Sequence, residues 1–195
     1  MGTDPLPQSK ILELLGTKAG VKAAVFDQAL EIFNQLKDVL SEMSNDLNES
    51  LDEAGNKRIK LEYRDRGKFE DVLVFSMHTD IFQFDRDHAI WKNSYAKESP
   101  ANTYCGVISV YNFLSDSLKY NRLEDLGYLV ARLFVNKERY FFIEGKRQKM
   151  QKISAFGRYL LDKEALVTFV EQAMTYTLSF DLLVPPYDLV KVASL

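Results

Sequence analysis

The sequence is poor in the residues that most often carry chemistry. It has a single cysteine, Cys105, two histidines and one tryptophan in 195 residues. One cysteine excludes an internal disulfide and a cysteine-rich zinc site. The opening stretch MGTDPLPQSK lacks the basic, apolar, small-residue order of a signal peptide. No apolar run reaches the roughly 18–20 residues of a membrane span, so no membrane partner is expected. There is no G-x-x-x-x-G-K-[ST] loop for phosphates and no G-x-S-x-G elbow for a serine nucleophile. Basic excess is missing too: the net charge is −3, which argues against a dedicated nucleic-acid binder. These absences point to a cytoplasmic domain that needs no cofactor or metal.

Apolar residues make up 46% of the chain, with 13 Phe and 10 Tyr, enough for a core without disulfides or metal. The clearest pattern is a 3-4-3-4 spacing through Phe26, Ala29, Phe33, Leu36, Leu40, Met43 and Leu47. It predicts a helix over 20–52, ended near Gly55. A shorter helix begins after Ser9 and is expected to stop at Gly16. The long helix would span about 46 Å, against a diameter of about 42 Å for a globule of this size. Its seam can pack on the chain's own sheet or on a second copy. The expectation carried forward is a homodimer or protein partner held through Phe33, Leu36, Leu40, Met43 and Leu47.

After Gly55 the apolar period falls to two. Residues 56–195 read as about six antiparallel strands followed by a helix from Asp162 to about Phe180. That helix buries Leu166, Phe169, Val170, Ala173, Met174 and Thr177 on one face. The fold class is therefore α+β: an N-terminal helical segment, 1–55, then an antiparallel sheet with a C-terminal helix on one side, most simply as one compact domain.

Three site candidates follow. His78 and Asp80 form an H-x-D pair for metal or acid–base chemistry, as in a hydrolase. If His78–Thr79 and 85–88 are turns around a short strand, His78 and His88 lie roughly 16 Å apart and cannot share a zinc ion. If 74–84 is one strand, His78 and Asp80 share a face and need further ligands such as Asp116 or Glu144. Second, Lys146, Arg147, Lys149 and Lys152, extending to Arg158, form a basic run suited to an anion or to nucleic acid. Third, Tyr128, Phe134, Tyr140, Phe142 and Tyr159 are placed to line an apolar ligand pocket, with Tyr128 and Phe134 in register on one strand. Cys105, in an apolar strand, is expected to be a packed thiol. The reading that combines these features is a non-enzymatic domain that self-associates and binds a ligand or protein.

Overall fold

The computed structural model describes residues 7–67, 70–75, 78–90, 100–122, 124–145 and 157–179. Over 70–75 and 78–90, and at residues 7, 100 and 118, it describes the backbone alone. Among the described residues no helix is long and apolar enough to cross a membrane.

The chain opens with α1 (Pro7–Leu14), a π-turn (Leu15–Ala19) and α2 (Gly20–Glu53). Leu14 and Gly20 both keep right-handed helical dihedrals, so the three form one helical run with a rise of about 70 Å. Gly16 does not stop the first helix, contrary to the sequence expectation. Glycine weakens a helix by about 1 kcal/mol but does not forbid it, and here the wider π-turn carries the chain through. The true stop is Gly55, at φ +81°. There Asn56 N–H bonds to Leu51 O at 2.8 Å, the closing bond of a left-handed glycine cap.

The sheet is antiparallel throughout, in the order β1 (Leu61–Asp65), β2 (Glu70–Phe75), β3 (His78–Ile90), β4 (Tyr104–Leu114), β5 (Tyr128–Asn136), β6 (Phe141–Gly145). Side chains are described on the adjoining strands β4–β6 and on β1. A short helix, α3 (Ser115–Lys119), follows β4, and α4 (Lys163–Leu178) closes the described chain. Asp162 caps α4 by accepting from Ala165 N at 2.8 Å. Its six expected apolar-face residues are all buried.

Both helices lie on one face of the sheet. Ala29, Ile32, Phe33, Leu36 and Leu40 of α2 join Ile108, Val110, Leu133 and Val135 of the strands and Phe169 and Val170 of α4 in one core. Phe33, Leu36 and Leu40 are wholly buried there, and Met43 packs against the same cluster. The heptad seam therefore binds the chain's own sheet, and the surface expected to hold a second copy is already covered. Seam spacing satisfies a sheet as well as a helix, because both ask only for a continuous apolar stripe. Leu47 lies at the rim of this core, 37% exposed, and Leu51 packs against the core one turn further on. Near that end the Asn48 side chain pairs with Leu61 as a strand would, accepting from its N–H at 2.8 Å and donating to its carbonyl at 2.9 Å.

Candidate functional site

The aromatic hairpin is the best-defined of the expected sites. Val107, Phe134 and Phe142 stand in one register row across β4, β5 and β6. The two phenyl rings stack at 4.4 Å, 5° from parallel. With Cys105 and Val107 they form a second core on the face away from the helices, and Tyr140 packs beside them. Arg132 covers the Phe134 ring at 5.5 Å, held by Glu144, which accepts from its Nε at 2.7 Å. Both rings are buried, at 4% exposure each.

Tyr128 does not join them. The β4–β5 ladder shifts register between Val110 and Tyr111, with Ala131 opposite Val110 and Leu129 opposite Tyr111. The extra residue, Val130, is buried in the helix-side core together with Ala131. Such a bulge reverses the alternation beyond it, so Tyr128 falls on the opposite face from Phe134. Two-residue counting cannot reveal this. Leu160 bridges to Tyr140 and brings Tyr159 beside the hairpin, but the Tyr159 ring is 54% exposed.

Below these rings the hairpin turn is tightly tied. Asn136 is fully buried; its Oδ1 accepts from Glu138 N at 2.9 Å and Tyr140 N at 3.0 Å. Its Nδ2 donates to Asn102 O at 3.3 Å. Arg139, at φ +67°, donates to Glu31 Oε1, Gln35 Oε1 and Leu161 O. The turn is thereby locked to α2 and to the entry of α4.

The histidine pair lies in β3, which runs unbroken from His78 to Ile90 with a register shift between Asp85 and Ala89. The segments His78–Thr79 and 85–88 are strand and bulge rather than turns; a bulge takes up polar residues without leaving the ladder. His78 and His88 are then roughly 30 Å apart along the strand, too far to share a metal. Asp80 pairs with Leu73 and Asn112; the side chains of His78 and Asp80 lie outside the described residues. Of the suggested extra ligands, Glu144 is engaged by Arg132 and lies three strands from β3, and Asp116 is exposed on α3. Among the described residues no three His, Cys, Asp or Glu side chains are grouped to hold a metal. Cys105 is fully buried, and burial pushes its thiol up to about 12, which removes it as a nucleophile. Lys146, Arg147, Lys149 and Lys152 lie outside the described residues, and Arg158 is exposed.

One feature was not expected. From Gln8 to Gly20 every residue of the long helical run is exposed; burial begins only at Val25. This stretch projects roughly 20 Å. It shows Ile11 at 54%, Leu12 at 69%, Leu14 at 44% and Leu15 at 58% exposure. The sequence signal was there in KILELL, four apolar residues in five positions, but a stop at Gly16 hid its continuity with α2. Further along, the outer side of α2 bears a polar groove of about 330 Å³ against α4, lined by Gln35, Asp38, Ser41, Glu42 and Lys163.

Compared with known protein families, curated proteins and solved structures, the chain matches none.

Proposed function

We propose that this chain is a non-enzymatic interaction domain whose folded body presents the start of its long helix to a protein surface. The observation that carries this reading is the exposed apolar stripe of Ile11, Leu12, Leu14 and Leu15 on a helix that projects beyond the core. Burying one such side chain completely is worth about 1.5–3 kcal/mol. An isolated helix of this length is marginal in water, and Gly16 and Gly20 each weaken it by about 1 kcal/mol relative to alanine. The lone buried thiol suits a reducing compartment such as the cytoplasm.

The test is the stability of a Leu12→Asp, Leu15→Asp variant. A docking helix contributes little to the domain that carries it, so thermal unfolding of the body stays within about 0.5 kcal/mol of wild type, as for an open surface change. A loss of several degrees in Tm means the stripe is packed within its own domain and sinks the reading.

A further inference from the structure

We propose that Asn48 guards the β1 edge of the sheet: its side chain holds the backbone position at which the β1 strand of a second copy would add. β1 ends the sheet order, and among the described residues only β2 pairs with it. Edge strands are templates for another chain, and folded proteins protect them. In an antiparallel ladder, two facing residues of a hydrogen-bonded pair exchange both N–H···O bonds. Asn48 makes this exchange from a side chain. Its Oδ1 accepts from Leu61 N at 2.8 Å, and its Nδ2 donates to Leu61 O at 2.9 Å. Ser44 Oγ, one turn back, donates to the same carbonyl at 3.4 Å. Leu61 stands opposite Phe75 of β2, but its N–H and C=O go to α2. Helix propensity does not ask for asparagine at this place; the peptide-like pair does.

Charge identifies the occupant that is kept out. Two β1 strands paired antiparallel about Tyr63 set Glu62 of each copy against Arg64 of the other. Both side chains are exposed, and opposite charges facing across strands stabilise a pair. The two-fold repeats the contact. The same register lays Leu61 beside Asp65 of the other copy. Lys37 of α2 already donates to Asp65 Oδ1 at 2.9 Å and to Gly67 O. Both members of that pair are thus engaged by α2 within one chain. The sequence of β1 favours its own copy, and α2 blocks the approach.

Sedimentation over a concentration series tests this. Asn48→Ala associates at a concentration about tenfold lower than wild type does. Arg139→Ala, which loses bonds between α2 and the β5–β6 hairpin, sediments as wild type. Adding Glu62→Lys to Asn48→Ala sets lysine against Arg64 and restores wild-type behaviour. Circular dichroism establishes that each variant is folded. A folded Asn48→Ala that associates no more than wild type overturns the guard, as does equal association of Arg139→Ala. Association that persists with Glu62→Lys overturns the second copy in this register. Should Asn48→Ala fail to fold, hydrogen exchange in the wild-type chain decides: the Leu61 amide is protected like those within the sheet, and exchange at the rate of an open amide overturns the proposal.

Discussion

Arg139 Nη2 donates a hydrogen bond to Gln35 Oε1 at 2.8 Å, joining the tip of the β5–β6 hairpin to the middle of α2 across 104 positions of sequence. The same guanidinium reaches Glu31 Oε1 at 3.1 Å and Leu161 O at 3.1 Å, so one side chain ties three elements. Arg139→Ala removes all three bonds and is expected to cost about 2 kcal/mol. Arg139→Gly loses the same bonds but relieves the left-handed backbone, so it costs less than alanine. Urea unfolding of the two variants gives the order; equal costs would mean the backbone strain is negligible.

Asn136 is a second prediction of the same kind. Its buried amide serves the N–H groups of Glu138 and Tyr140 and the carbonyl of Asn102. Replacing it with leucine leaves those backbone groups without their partner in a water-poor site. A loss of about 2–4 kcal/mol is expected, since each unsatisfied buried group costs roughly 1–3 kcal/mol. Asn136→Asp retains the acceptor and loses the donor, and its added charge is buried. Its deficit should therefore shrink as pH falls and the carboxyl protonates. A pH-independent deficit would contradict the arrangement.

Gly127 lies against the ring of Phe113, whose atoms occupy the space a Cβ would need. Gly127→Ala forces that ring to move, and overpacking of this kind costs about 1–3 kcal/mol. Phe113→Leu in the same chain should recover part of the loss. A double-mutant cycle measures this, and strict additivity would show that the two positions do not touch.

Cys105 makes a pH prediction. Its thiol, held neutral by burial up to about 12, ionises near 8.5 once the chain unfolds. Between those values the folded state keeps a proton that the unfolded state has released, so stability falls as pH rises through this window. Cys105→Val removes that contribution, and its stability should fall less steeply between pH 8.5 and 11. In the native protein the thiol should also resist alkylation at pH 8, reacting only at the rate of unfolding.

Much of the fold was legible because it follows from local periodicity. The stripe from Phe26 to Met43 and the face from Leu166 to Thr177 are set by helix geometry, and Asp162 carries its capping oxygen in its own side chain. Gly55 was legible as a stop for a similar local reason. Gly16 differs, because residue type alone does not distinguish a glycine that ends a helix from one that continues through a π-turn. The face that Tyr128 occupies is not legible in sequence, because a bulge depends on how the neighbouring strand pairs, which no single strand records. The exposure of Ile11, Leu12, Leu14 and Leu15 is not legible in sequence either, because it depends on where the rest of the chain is.

The sequence by itself determined which residues are apolar at helical or strand spacing, where α2 and α4 end, and that a lone cysteine closes no disulfide. Tertiary structure alone decided what those apolar faces meet. It turned the Phe33–Leu36–Leu40 seam inward onto the sheet and left Ile11, Leu12, Leu14 and Leu15 outside. Periodicity creates a sticky face, but contact is a property of elements distant in sequence. Whether a face becomes core or interface is fixed only when those elements close around it.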